Sequence, residues 1–360
     1  MKRDIFEICD LWENLKKTKK PILLYGMGDG ADKVLDVCSS KGIEVSGVFA
    51  SDGFAKHKIF RGFDVSPLSE TLVKFEDPII LLSFASCLDD VMNNVKSIAS
   101  KYELYCPDVP VFGTGLFDRK FVFENFDHFN EVYSSLSDDL SRSNYVNLIL
   151  GKMTGNIDYL VSAETPVSEA YQNIIKPSVN NHYVDIGAYN GDTIREYLSY
   201  AQGFSKITAF EPDVKNYNKL CKYAEENNIP QENLHNIAAW NNCELLTFYS
   251  RSGRNSAEST SHKSAKSTVI QADTADSRIT DKVDFINIDA EGSDMQVIEG
   301  LKNTIKNYKP TISCALYHRN EDLFSIPIQL KKMYGDCEMY IRHFKYFPAW
   351  DTNVYVKPKI

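Results

Sequence analysis

Apolar residues recur at helical spacing in residues 4–17, where Ile5, Ile8, Leu11, Trp12 and Leu15 share one face. The spacing predicts an amphipathic opening helix with a charged outer side. From Pro21 the pattern changes to short apolar runs. Ile22-Leu23-Leu24-Tyr25 leads into Gly26-Met27-Gly28-Asp29-Gly30-Ala31 and a helical stretch to Lys41, and Val45–Phe49 and Ile79–Phe84 repeat the strand-like pattern. Strands alternating with helices predict a small parallel α/β unit within residues 1–115, about three strands long. Residues 116–176 lose that alternation. Phe129, Val132, Tyr133, Leu136, Val146, Ile149 and Leu150 fall three to four apart, which predicts a helical connector.

A second series occupies residues 177–360. Strand candidates are Tyr183–Ile186, Lys206–Phe210, Leu234–Ala239, Leu245–Tyr249, Val283–Ile288 and Thr311–Leu316, with helices at 191–201, 213–227 and 293–307. This predicts an α/β fold with a doubly wound, Rossmann-like sheet in the C-terminal half. Between Ser250 and Thr268 there is no apolar face, and a mobile surface loop is expected. Its Arg251, Arg254, Lys263 and Lys266 offer the alternative of a lid over an anionic acceptor. The aromatic C-terminus, with Phe344, Tyr346, Phe347 and Trp350, suits core packing or stacking on a sugar ring.

Composition narrows the class. The 360 residues hold 40 Lys plus Arg against 49 Asp plus Glu, a formal charge of −9, without the basic stripe that binding to a nucleic-acid backbone needs. No stretch is apolar enough to span a bilayer, and acids interrupt the first residues where a signal peptide would carry its apolar core. A cytoplasmic protein with no nucleic-acid partner and no membrane span is expected. The eight cysteines have neither C-x-x-C pairing nor zinc-site spacing. Composition leaves homo-oligomerisation open.

The segment that carries chemistry is Asp185-Ile186-Gly187-Ala188-Tyr189-Asn190-Gly191-Asp192-Thr193, a strand end, a glycine turn and a helix start in succession. Glycines permit the tight turn, and the helix N-terminus presents unpaired N–H groups. The next strand ends in Glu211-Pro212-Asp213, with Glu211 26 residues after Asp185. In this topology a carboxylate there grips the two ribose hydroxyls of an adenosine. Small residues around Asn236 and Ala238 would admit the adenine, and Asp289, Glu291 and Asp294 crowd the end of the strand Val283–Ile288. An acid-rich cleft suits a sulfonium cation better than a pyrophosphate, which points to S-adenosylmethionine. Those acids could instead hold Mg²⁺ through oxygen, although no dedicated metal motif is present. They could also simply cap the following helix.

Residues 183–320 resemble the FkbM-type S-adenosylmethionine-dependent methyltransferases. The likeness rests on Tyr183–Thr193, on Phe210-Glu211-Pro212-Asp213 and above all on Asp284-Phe285-Ile286-Asn287-Ile288-Asp289-Ala290-Glu291-Gly292, with Tyr317-His318-Arg319 and Tyr340-Ile341-Arg342-His343 further on. The resemblance implies a class I methyltransferase domain, an S-adenosylmethionine donor, and a hydroxyl acceptor on a sugar, nucleotide sugar or related metabolite, as in bacterial glycan biosynthesis. It places Asp185, Gly187, Ala188, Gly191 and Asp192 around the methionine end and Glu211 at the ribose. Two positions depart from the pattern: Tyr189 stands for the middle glycine, and Asn287 for an expected lysine. An alcohol acceptor needs a base or a metal. His318 is the candidate base, with Asp289 or Glu291 orienting the acceptor, while His182, His235 and His343 are expected to be structural.

Two other classes compete. Gly26–Ala31 followed by Asp52 approximates a dinucleotide fingerprint, as in a nicotinamide-dependent oxidoreductase. The alternative is a non-catalytic nucleotide-binding or scaffold protein.

Overall fold

The first sheet is built from β1 (Ile22–Tyr25), β2 (Gly47–Ala50), β3 (Lys58–Phe60), β4 (Phe63–Pro67), β5 (Ile79–Leu82) and β6 (Glu103–Tyr105) in the order β3-β4-β2-β1-β5-β6. This computed structural model describes residues 1, 3–51, 58–250 and 266–359. Internal contacts divide the chain into one unit of Met1–Ser134, Asp139–Thr165 and His343–Asp351 and another of Ser135–Asp138, Pro166–Arg342 and Thr352–Ile360.

In the first unit β1 is buried at every residue and pairs in parallel with β2 and β5, as expected for a strand covered on both faces. The sheet has six strands where the sequence predicts about three. The added β3–β4 hairpin and β6 are short and half exposed, so they lack a continuous apolar run. The opening helix is also shorter than predicted. It spans Leu11–Lys17 because Asp10 caps it, its carboxylate accepting the Glu13 N–H at 2.8 Å, and a 3₁₀ turn over Arg3–Glu7 precedes it. Helices Arg119–Glu124, Phe126–Ser135, Asp139–Thr154 and Ile157–Ala163 occupy the connector region. Of the C-terminal aromatics in this unit, Phe344 and Phe347 are buried, and the rings of Tyr346 and Trp350 lie 5.8 Å apart.

The second unit holds β7 (His182–Ile186), β8 (Lys206–Phe210), β9 (Leu234–His235), β10 (Ala238–Trp240), β11 (Glu244–Ser250), β12 (Lys266–Thr274), β13 (Phe285–Ile288), β14 (Thr311–Ala315), β15 (Cys337–His343) and β16 (Thr352–Pro358). Seven of them form the sheet β15-β16-β14-β13-β7-β8-β9, in which β7, entirely buried, lies between β13 and β8. The strands from β14 to β9 are parallel, and β16 runs antiparallel to β14. The order reverses between β7 and β13, and the site lies at the carboxyl ends of those strands, where open α/β sheets bind ligands.

The predicted strand Leu234–Ala239 is broken. β9 stays in the main sheet, while β10 pairs with β12, which pairs with β11, in a separate three-stranded sheet. Leu245–Tyr249 accordingly belongs to this small sheet rather than the doubly wound one. Of the segment expected to be a loop, Ser250 ends β11 and residues 266–268 belong to β12, while the rest, with Arg251, Arg254 and Lys263, lies outside the described residues, as does Asp52. The predicted helix 293–307 splits into Asp294–Glu299 and Lys302–Tyr308. Gly300 marks the break because a Cβ there would stand 2.0 Å from the Trp240 carbonyl oxygen. Among the described residues no helix is long and apolar enough to cross a membrane, and all eight cysteines are unpaired.

Candidate active site

Three loops at the carboxyl ends of β7, β8 and β13 build the site. The turn after β7 is set by Gly187, whose φ is +85°; a Cβ there would sit 1.9 Å from the Asp289 carbonyl oxygen. This glycine therefore lets the β7 and β13 loops touch. The N–H groups of Gly187 and Ala188 both donate to the Phe210 carbonyl at 3.0 Å, tying the same turn to β8. Gly191, at φ +83°, precedes the helix Asp192–Tyr200, and a Cβ on it would meet the Tyr223 ring at 2.7 Å. Tyr189, where the sequence resemblance expects a glycine, adopts φ +47°, so the left-handed geometry persists without the glycine.

Asp185 is fully buried. The Thr193 hydroxyl donates to its Oδ2, and the Asn287 amide donates to its Oδ1 at 3.1 Å. Burial raises its pKa to about 6 despite these donors. Asp185 and Thr193 thus brace the turn from beneath. Asp192 is exposed and accepts the Thr193 N–H through its own carboxylate.

Glu211, at the tip of β8, accepts the Tyr189 N–H on Oε2 at 2.8 Å and the Asp213 N–H on Oε1 at 2.7 Å. Burial pushes its pKa up to about 7. Asn236 fixes the same corner by donating to the carbonyls of Glu211 at 2.8 Å and Pro212 at 3.1 Å. Ala238 opens β10 opposite Ala272.

The third loop carries most of the charge. Asp294 accepts the N–H of Ala290 on Oδ1 at 2.8 Å and that of Gly292 on Oδ2 at 3.2 Å. It thereby holds Glu291 and Gly292 at φ +49° and +87°. His318, just beyond β14, stands with Nδ1 2.9 Å from Asp294 Oδ2 and Nε2 3.2 Å from Asp289 Oδ1 and 3.8 Å from Glu291 Oε2. The Tyr317 hydroxyl donates to Asp289 Oδ2 at 2.9 Å. Asp322 accepts the Arg319 N–H at 2.8 Å, and the Arg319 Nε donates to the Gly292 carbonyl at 2.9 Å, closing the network.

Burial alone would lower the His318 pKa, but Asp294 and Asp289 outweigh it and raise it well above the ordinary value. His318 is enclosed at 1% exposure between Asp294 and Asp289. Burial opposes the charge of Asp289, but the hydrogen bond and charge of His318 hold its pKa below the usual value. Burial and the neighbouring Asp289 push Glu291 up to about 8.

Asn287, Asp294, Tyr317 and Asp322 complete the site, and sequence reasoning gave none of them the supporting role seen here. Tyr317 adjoins His318, but only the β13–β14 pairing shows that its hydroxyl reaches Asp289. His182 is structural, with Nδ1 3.0 Å from the Lys282 carbonyl and Nε2 2.9 Å from the Thr208 hydroxyl.

In the first unit, Gly30 is required by packing, since a Cβ there would lie 2.4 Å from the Ser83 carbonyl, whereas Gly28 is extended and faces open space. The first turn of its helix carries Asp29 and Asp32, charges that repel a pyrophosphate.

Residues 185–348 match the profile of the Methyltransferase FkbM domain. Among solved structures, the chain is similar to methyltransferase FkbM from Methylobacillus flagellatus KT, with 17% identity over 99% of this chain and 94% of that one and a TM-score of 0.71. The two share a fold. Weaker likenesses include an rRNA methylase from Streptococcus thermophilus, with 11% identity over 55% of this chain and 98% of that one and a TM-score of 0.35. Another is TYW2 from M. jannaschii in complex with AdoMet, with 13% identity over 54% and 76% and a TM-score of 0.31. No curated protein matches the chain.

Proposed function

We propose that the FkbM methyltransferase domain carried by residues 185–348 transfers a methyl group from S-adenosylmethionine to a hydroxyl oxygen of a sugar, nucleotide sugar or related small metabolite. The observation that carries this reading is the junction of Glu211, at the tip of β8, with the Gly187–Gly191 turn after β7 through the Tyr189 N–H, next to the point where strand order reverses between β7 and β13. Glu211 takes the ribose hydroxyls. The Gly187–Thr193 segment borders the methionine end, and Asn236 and Ala238 border the adenine.

Charge supports the donor. Glu211 and Glu291 both have pKa values raised by burial, so a ligand bearing a sulfonium and an ammonium relieves an electrostatic cost already present in the empty cleft. A pyrophosphate would worsen it. At the acceptor side, Asp289 and Glu291 are each 37% exposed and stand where an incoming hydroxyl can meet them, with His318 and Tyr317 fixing Asp289 from behind.

Methyl transfer is an in-line displacement at a carbon activated by its sulfonium, so the chain chiefly aligns the acceptor and favours loss of its proton. The direct test is release of S-adenosylhomocysteine across a panel of nucleotide sugars and free glycans. Turnover with a hydroxylated acceptor is expected. Methylation confined to amines or carbon acids would overturn the oxygen assignment, and absence of turnover with every acceptor class would count against the enzyme reading.

A further inference from the structure

Arg319 follows His318 beyond β14 and is anchored twice. Its backbone N–H donates to the Asp322 carboxylate at 2.8 Å, and its Nε donates to the Gly292 carbonyl at 2.9 Å. The second bond lays the guanidinium against the loop that carries Asp289 and Glu291. Arg319 is nevertheless exposed and, among the described residues, forms no ion pair. The acids of the same loops are engaged elsewhere: Asp289, Glu291 and Asp294 face His318, and Asp322 takes the backbone N–H.

The outer part of this guanidinium, its two Nη groups, keeps a planar fork that matches two oxygens of a phosphate or a carboxylate. Because Nε is already held by a backbone carbonyl, the side chain has less freedom to lose when an anion arrives. Position separates Arg319 from two other cations near the site. Arg195 and Lys219 lie over the Tyr223 and Tyr189 rings, at 4.5 Å and 5.8 Å, on the helices that follow β7 and β8. Arg319 follows β14 and touches the β13 loop, on the side of Asp289 and Glu291.

We propose that Arg319 determines acceptor specificity by binding an oxyanion, phosphate or carboxylate, that the hydroxylated acceptor carries. The inference rests on the methyl-transfer reading and narrows it: anionic sugars are taken in preference to neutral glycans. Two opposite charges enforce the choice. Arg319 attracts the anionic group, while Asp289, whose pKa His318 holds below the usual value, repels it from the place of the hydroxyl. The acceptor is thereby held in one orientation.

The test that needs no acceptor is a titration of the full chain with inorganic phosphate and with acetate at constant ionic strength, followed by nuclear magnetic resonance of the arginine Nε–H groups. The Arg319 signal is assigned by its loss in Arg319→Lys. A saturable shift is expected at Arg319, at least tenfold tighter than any shift at exposed Arg195, which serves as the internal control. A stronger response to phosphate assigns a phosphorylated acceptor, and a stronger response to acetate assigns a sugar acid. Equal behaviour of Arg319 and Arg195, or no response to either anion, would overturn the proposal.

Turnover gives the second readout. Among nucleotide sugars, sugar phosphates, sugar acids and neutral glycans, an anionic acceptor should be preferred. Arg319→Gln should lower kcat/KM for that acceptor roughly tenfold, with the loss falling on KM, and should spare a neutral counterpart. A merely structural role of the Nε–Gly292 bond would lower both alike, and that result, or preference for a neutral acceptor, would overturn the proposal. Titration of the same preparation with S-adenosylhomocysteine separates the two readings. If that product binds and Arg319 responds no better than Arg195, the specificity inference alone fails; if Arg319 responds and the product does not bind, the methyl-transfer reading fails and the anion site stands.

Discussion

Asn287 on β13 and Asp185 on β7 are directly paired across adjacent strands, and the Asn287 Nδ2 donates to Asp185 Oδ1 at 3.1 Å. A lysine, the residue expected at this position, would bring a full positive charge to the same carboxylate. The neutral amide leaves Asp185 at about 6, above its ordinary 3.8, because burial outweighs the donors around it. A carboxylate whose pKa is raised on folding contributes most below its unfolded value, and that contribution is lost as pH rises through about 6.

Asn287→Leu should therefore destabilise the second unit by about 2 kcal/mol at pH 7.5, the worth of a hydrogen bond to a buried charge. The deficit should shrink near pH 4.5, where Asp185 is protonated. Urea unfolding of both proteins at the two pH values checks this, and a deficit independent of pH would contradict it.

Glu211 offers a second dependence on pH. Its folded pKa of about 7 means that acid removes the charge needed to accept two ribose hydroxyls. Affinity for S-adenosylhomocysteine should fall roughly tenfold from pH 8 to pH 6. In Glu211→Gln the same change of pH should leave a weaker affinity nearly constant; parallel curves for the two proteins would remove Glu211 from the ribose.

The two glycine turns should respond in opposite ways to alanine. Gly187→Ala combines a left-handed backbone, worth about 1–2 kcal/mol against an L-residue, with a Cβ 1.9 Å from the Asp289 carbonyl oxygen. Gly28→Ala meets open space in an extended conformation. Thermal unfolding should show severe loss or no folded product for the first and a change within about 0.5 kcal/mol for the second.

Strand legibility followed burial. Ile22–Tyr25 and Ile79–Leu82 stand out as uninterrupted apolar runs because both faces are covered. β15 and β16 pass unnoticed. Their sequences, Cys-Glu-Met-Tyr-Ile-Arg-His and Thr-Asn-Val-Tyr-Val-Lys-Pro, mix charge with aromatics, and β16 becomes a strand through antiparallel pairing with distant β14. At the site, residue types at strand ends indicate where carboxylates gather. They do not show that His318 is enclosed by acids that raise its pKa, since Asp294 is 24 residues away and reaches it only through the fold.

Arg342 gives a prediction on stability alone. Its guanidinium is 1% exposed and pairs with Asp138 Oδ2 at 2.7 Å and Glu169 Oε2 at 2.5 Å. Arg342→Met strands two partly buried carboxylates and should cost about 3 kcal/mol, with the lower end of the usual range expected because both acids retain some solvent. Arg342→Lys should recover only part of this in chemical denaturation, because one ammonium cannot reproduce the fork.

The central claim is tested most directly by calorimetric titration of the unaltered chain and Glu211→Ala with S-adenosylhomocysteine, with folding checked by circular dichroism. One site per chain is expected in the unaltered protein, with affinity reduced at least tenfold, about 1.4 kcal/mol, in the folded variant. No binding to the unaltered chain, or equal affinity in both proteins, would contradict the account.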